Sequence, residues 1–291
     1  MSDCNICPRG CNAERGELMG GGVCASGTTA RIARAAPHMW EEPCISGERG
    51  SGAVFFTGCA LRCVYCQNEK ISFAGGGKPV SPVELRAVYG ELLALGVHNI
   101  NLVTPSHYAD AVIASLTPPL PVPVAWNSSG YESVETLQRL EGLVQIYMPD
   151  MKYALPETAA RYSSAPDYPE VARRAILEMH RQVGDFELDD DGILTRGVLI
   201  RHLVLPDNAD NTRRVIDWVS ETFAPGEVLF SLMGQYTPHG DLSAFAELQC
   251  PPTEAEYAYA LQYLGESGIE DGFTQDLGAV GDEFLPDFNL A

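Results

Sequence analysis

From residue 50 onward, short runs rich in β-branched and aromatic residues alternate with stretches of helical periodicity. The candidate strands are 53–57 (AVFFT), 99–104 (NINLVT), 121–126 (PVPVAW), 143–148 (LVQIYM), 196–205 (RGVLIRHLVL) and 227–233 (EVLFSLM). This alternation is the pattern of βα units around a parallel sheet. Six strands fall short of the eight that close a (β/α)8 barrel. The helices between them have readable ends. Ser81-Pro-Val-Glu84 is a capping box with proline at the first helical position, and Gly96 closes that helix. Thr253-Glu-Ala-Glu256 repeats the box before an Ala/Tyr/Leu-rich helix. Residues 169–183 and 211–223 read as two amphipathic helices, and the acidic run 185–192 as a surface turn.

The nine cysteines are unevenly spread. Cys59, Cys63 and Cys66 follow the first strand directly, in the run Gly58-Cys-Ala-Leu-Arg-Cys-Val-Tyr-Cys-Gln-Asn68. Three closely spaced thiolates can hold three corners of a [4Fe–4S] cube and leave one iron open, as a catalytic zinc keeps an open position. A structural zinc knuckle needs a fourth ligand close by. Cys4, Cys7, Cys11 and Cys24, with Gly20-Gly-Gly22 between the last two, form a second set. Four thiolates suit a tetrahedral zinc or all corners of a second Fe–S cluster, and the spacing favours neither. A segment with so little apolar material needs its metal to fold. The chain therefore divides into a Cys-rich metal-binding segment, 1–45, and an α/β domain, 46–291. Cys44 and Cys250 read as ordinary buried thiols.

Apolar residues make up 45% of the 291, enough for a sizeable core, and no apolar run approaches a membrane span. The N-terminus, Met-Ser-Asp-Cys-Asn, lacks the features of a signal peptide. A cytoplasmic location with reduced, metal-binding thiols is the expectation. The net charge of −20 argues against a nucleic-acid surface, which needs clustered Lys and Arg.

The cysteine triplet, opened by Phe55-Phe-Thr-Gly58 and closed by Gln67-Asn68, resembles the signature of the radical S-adenosylmethionine (SAM) enzymes. The resemblance implies an open (β/α)6 partial barrel, a [4Fe–4S] cluster on Cys59, Cys63 and Cys66, and SAM bound at the open iron. It also implies anaerobic chemistry and an electron donor of ferredoxin or flavodoxin type. In that family the cluster's electron splits SAM into methionine and a 5′-deoxyadenosyl radical.

In parallel barrels the functional groups sit at the strands' C-terminal ends. Those ends carry Tyr65 and Asn68, Thr104-Pro-Ser-His-Tyr108, Asn127-Ser-Ser-Gly130, Asp150-Met-Lys152, Arg201-His202 and Met233-Gly-Gln-Tyr-Thr-Pro238. Asp150-Met-Lys152 and Asn127-Ser-Ser-Gly130 resemble motifs of one branch, the activating enzymes of pyruvate formate-lyase and other glycyl-radical enzymes. By that resemblance Tyr65, Asn68, Thr104, Ser106, His107, Asn127, Ser128, Ser129, Asp150, Lys152 and His202 are candidate cofactor-binding residues, and the reaction is hydrogen abstraction from a protein glycine. Radical chemistry on a peptide or small metabolite is the alternative, and an Fe–S electron carrier without catalysis a further one. One feature of the branch is missing: its Gly-Gly-Glu, which holds the SAM amino group, is replaced by Thr104-Pro-Ser-His107. His202, in mid-strand, reads equally as a satisfied core histidine. Trp40-Glu41-Glu42 reads either as a cover for the barrel mouth or as packing against it.

Overall fold

The computed structural model describes residues 4–73 and 76–275, together with Phe288. Residues 1–3, 74–75, 276–287 and 289–291 of the two expected regions lie outside the described residues. The strands are β1 (Ala30–His38), β2 (Ser51–Phe56), β3 (Lys78–Val80), β4 (Ile100–Val103), β5 (Val124–Ser128), β6 (Ile146–Pro149), β7 (Glu187–Leu188), β8 (Leu194–Leu203), β9 (Leu229–Met233) and β10 (Gly272–Thr274). All six expected strands are present, and they lie side by side in chain order as β2-β4-β5-β6-β8-β9, every pair parallel. The result is the mixed α/β architecture with a largely parallel central sheet that the alternation implied. β5 begins three residues later than expected because Pro121 and Pro123 have no N–H to give a ladder.

Four strands were not expected. β1 has an Ala- and Arg-rich sequence of low strand propensity, yet it pairs antiparallel with β2 from Ile32↔Phe56 to His38↔Ser51. The central sheet therefore reaches into the Cys-rich segment. β3 joins the outer side of β1 and β10 lies parallel to β9, which extends the sheet at both ends. β7 makes the acidic run a two-residue antiparallel strand on β8, with both residues exposed.

The helix starts are as the sequence predicted. Ser81 and Thr253 each accept from the backbone of the glutamate three residues on, and both capping boxes close. The helices Tyr168–Val183 and Ala209–Thr222 cover the sheet's outer face. That face is apolar: Val54, Phe56, Leu102, Trp126, Tyr147, Val198, Ile200, Phe230 and Leu232 share one core with the helices. Alternate residues of the same strands face inward. Ala125, Ile146, Met148, Leu199 and Leu229 meet Cys44 and Ile45 of the short helix Pro43–Ser46, which forms a plug against the inward face of the sheet. Above this plug the inward positions turn polar.

Candidate functional site

A cavity of about 820 Å³ occupies the concave face of the sheet above the plug. Cys59, Cys63 and Cys66 line it, and none of the other six cysteines does. The loop that presents them needs backbone that few residues tolerate. Gly58 has φ +84°, and a Cβ there would collide with Ser26 Oγ and come within 2.9 Å of the Cys24 carbonyl. Arg62 also sits at positive φ, with its guanidinium on the Val23 carbonyl at 3.1 Å. Burial pushes the Cys66 thiol up to about 12 and raises Cys59 as well. Such thiols stay protonated until a metal compensates the thiolate charge. Tyr65, between the second and third cysteines, is buried and shares a 2.8 Å hydrogen bond with the Tyr153 hydroxyl.

Next to the thiols lies a chain of charges. Lys152 Nζ meets Asp150 Oδ2 at 2.7 Å. Arg201 meets Asp150 Oδ1 at 3.0 Å and Glu41 Oε2 at 3.1 Å, and donates to Asn127 Oδ1 at 2.6 Å. Glu41 Oε1 accepts from the side-chain amides of Asn101 and Asn127 at 3.1 and 3.2 Å. Burial works against Asp150's charge, but Lys152 and Arg201 outweigh it and hold the carboxyl below its usual range. Burial likewise lowers Lys152, while Asp150 and Cys63 together lift it to about 12. Glu41 and Glu42 are pushed up by burial, with Arg201 opposing.

Of the expected site residues, Tyr65, Asn68, Thr104, Asn127, Ser128, Ser129, Asp150 and Lys152 line this one cavity. Thr104 takes positive φ there while its N–H donates to the Asn127 carbonyl. Three others are elsewhere. Ser106 donates to Glu132, and His107 binds the Thr57 carbonyl at 2.7 Å behind the thiol loop. His202 points away from the lumen. Its Nδ1 donates to the Met151 carbonyl at 2.7 Å and its Nε2 accepts from Thr212 at 3.0 Å, which defines a neutral, satisfied core histidine.

Three charged cavity residues, Arg201, Glu41 and Glu42, were named from the sequence but not among the candidate cofactor-binding residues. Arg201 carried a signal, a charge directly after the apolar run Val198-Leu-Ile200 and near the strand's C-terminal end. The two glutamates precede β2 in the chain and enter from the plug side, so no strand-end rule could find them.

The N-terminal segment packs against the thiol loop. Arg9 donates to the carbonyls of Ala60 and Leu61 at 2.9 and 3.0 Å, and to those of Ser163 and Ser164. Cys7 has Cys4 and Cys24 as electrostatic neighbours, while burial pushes its thiol up to about 12. Cys11 lies against Gly22. Among the described residues, no group of three or more His, Cys, Asp or Glu is drawn together around one metal-ion position. Cys44 is buried as expected. Cys250 is exposed, contrary to the sequence reading, because it lies on the loop between the turn Ala246–Gln249 and the last helix, Glu254–Glu266.

No helix among the described residues is long and apolar enough to cross a membrane. No family model matches the chain. It is 28% identical over 231 residues to an uncharacterized protein of Methanocaldococcus jannaschii. The match takes in 76% of this chain and spans 63% of that relative's length. Among solved structures, a domain of the pyruvate-formate lyase-activating enzyme from Bacteroides vulgatus is similar over 67% of this chain and 91% of that domain, at 12% identity and a TM-score of 0.36.

Proposed function

We propose that this chain is a radical SAM enzyme. The observation that supports it best is convergence: three thiols with no fourth, the Asp150–Lys152 pair and the Asn127–Ser129 turn line a single cavity. The donor set fits a [4Fe–4S] cluster. Thiolates are the soft ligands such clusters take, and three of them leave one iron open. Cys59, Cys63 and Cys66 would hold the cluster, which supplies the electron that cleaves SAM reductively to a 5′-deoxyadenosyl radical. Lys152 and Arg201, although paired with Asp150 and Glu41, offer N–H donors in the wall beside the thiols for the methionine carboxylate of SAM. Ser128 and Ser129 offer hydroxyls next to them, and Thr104 and Asn127 add acceptors. Phe55, Leu61 and Met233 line the same space with apolar surface that excludes water. In this reading the N-terminal thiols hold a zinc or a second cluster that braces the loop from behind.

The target we propose is a glycine of a glycyl-radical enzyme, with a ferredoxin or flavodoxin as electron donor in an anaerobic cytoplasm. A small metabolite or peptide is the second reading, favoured by the polar floor of the cavity. The decisive experiment is mass-spectrometric detection of 5′-deoxyadenosine from anaerobically reconstituted protein with SAM and dithionite. Product above a Cys63→Ala control is the expected result. No product from protein with a demonstrated cluster would favour the electron-carrier alternative. A radical signal on an added glycyl-radical enzyme would separate the two substrate readings.

A further inference from the structure

Arg9 does not line the cavity, yet its guanidinium meets the thiol loop at a particular place. Its Nε donates to the Ala60 carbonyl at 2.9 Å and its Nη2 to the Leu61 carbonyl at 3.0 Å. These oxygens belong to two consecutive peptide units, Ala60–Leu61 and Leu61–Arg62. The opposite ends of the same units are the N–H groups of Leu61 and Arg62, and both donate to the Cys59 sulfur. Arg62 stands at φ +54°, in the left-handed region. Two successive N–H groups converging on one sulfur make a nest, a concavity that favours an anion. Arg9 holds the back of that nest.

A cation on a peptide oxygen draws electron density toward itself and makes the N–H at the far end a stronger donor. In such chains each bond strengthens the next by roughly 10–30%. Arg9 does this on two units at once, and both act on the same thiol. Its charge is not neutralised elsewhere. All four of its side-chain hydrogen bonds among the described residues go to backbone carbonyls, the others being Ser163 at 2.6 Å and Ser164 at 2.5 Å. Those two lie at the C-terminal end of the helix Pro156–Ser163, where a cation is favoured. The guanidinium also stands over the Tyr131 ring, 5.4 Å from its centroid. Cys66 takes an N–H from Asn68, whose peptide unit Arg9 does not touch. Arg62 supplies a natural contrast. It brings the same charge to the same loop, but its guanidinium goes to the Val23 carbonyl and the Phe73 ring, not to the peptide oxygens behind Cys59.

We propose that Arg9 is a positioning residue, which fixes the Cys59 sulfur and through two peptide units sets how readily a cluster held there accepts an electron. The inference rests on the radical SAM reading for the cluster, but it concerns a potential and needs no turnover. Hydrogen bonds to ligand sulfurs are among the levers that set Fe–S potentials. Positive charge relayed to the sulfur stabilises the reduced state, so its loss must make reduction harder. The experiment is redox potentiometry followed by EPR, on full-length protein reconstituted anaerobically, with dithionite supplying the single electron. In Arg9→Gln the equilibrium constant for reduction should fall about ten-fold, a shift of about 59 mV to more negative potential. Arg9→Lys keeps the charge but not the fork, and should fall about three-fold. Arg62→Gln should change the constant by less than about two-fold, because the relay stays intact. An equal shift in Arg9→Gln and Arg62→Gln would overturn the proposal, since charge alone would then explain both. If Arg9→Gln fails to fold or to take up iron, Arg9→Lys carries the test, and a potential equal to that of the unaltered protein sinks the idea. An unmoved potential in Arg9→Gln, in protein that still forms 5′-deoxyadenosine, would overturn the inference and leave the radical SAM reading. The expected shifts without any 5′-deoxyadenosine formation would remove that reading and leave the role of Arg9 standing.

Discussion

The two faces of the central sheet are built from alternate residues of the same strands, and they are nearly opposite in chemistry. Outward, Leu102, Trp126, Tyr147, Ile200 and Phe230 are buried against helices in one continuous apolar core. Inward, Asn101, Asn127, Arg201 and Ser231 stand on those strands one residue away, with Asp150 at the end of β6. Burial of apolar area is non-directional and roughly additive, so the outer face gives stability without selecting a ligand. The inner face holds ions in a partly dry space, where each charge depends on a specific neighbour. Stability and chemistry are thus separated by a two-residue period, and each can be tested by substituting one face at a time.

The sharpest test is at the thiol loop. Cys63→Ala should abolish both the cavity's cluster and SAM cleavage, while Cys7→Ala should leave that cluster in place. Iron content and visible absorption after reconstitution check this, and loss of all iron in the Cys7 variant would show that the two thiol sets are not independent. On the outer face, Trp126→Ala should cost about 4 kcal/mol in denaturant unfolding by opening a void in the core. A variant refolded at low temperature should still bind iron, and failure to do so would mean the faces are not separable. On the inner face, Asp150→Asn leaves Lys152 and Arg201 with one carboxylate partner fewer. We expect a loss of about 3 kcal/mol, together with weaker SAM binding by equilibrium dialysis. A loss of stability with unchanged SAM binding would assign Asp150 to the fold alone.

Smaller effects refine the contrast. Burial holds His202 down to about 4, against its usual 6.5. Between those values the unfolded chain binds a proton that the native state refuses, so stability is lost as the pH falls below 6.5. From pH 6.5 to 5 this amounts to about 2 kcal/mol, and His202→Gln should flatten that part of the curve. Comparison of the two curves also cancels the opposite contribution of buried Glu41 and Glu42, whose raised pKa favours the native state at low pH. The smallest change is Ser81→Ala at the edge of the molecule, which removes one capping box for about 1 kcal/mol and should leave iron and SAM binding untouched.

Much of this architecture was legible because it is local. A capping box is a four-residue pattern, and Ser81-Pro-Val-Glu84 closes as written. The parallel strands are short β-rich runs, and the thiol triplet lies within eight residues, so spacing alone brought those thiols to one loop. β1 was missed because its residues have weak strand preference and its partner, β2, carries the information. The run Trp40-Glu41-Glu42 was left between two readings for a related reason. Glu41 meets Arg201, 160 positions away, and nothing in that run encodes the distance.

The sequence by itself determined the α/β class, the presence of six β-rich strands and the gathering of three thiols after the first, because periodicity, turn chemistry and close spacing act over a few residues. Tertiary structure alone decided which polar residues share the cavity. It turned His107 and His202 into partners of backbone carbonyls, and it carried two glutamates from the plug side to the floor beneath Arg201. The physical reason is that burial and ion pairing depend on which surfaces come together, and a residue's neighbours in space are chosen by the whole sheet.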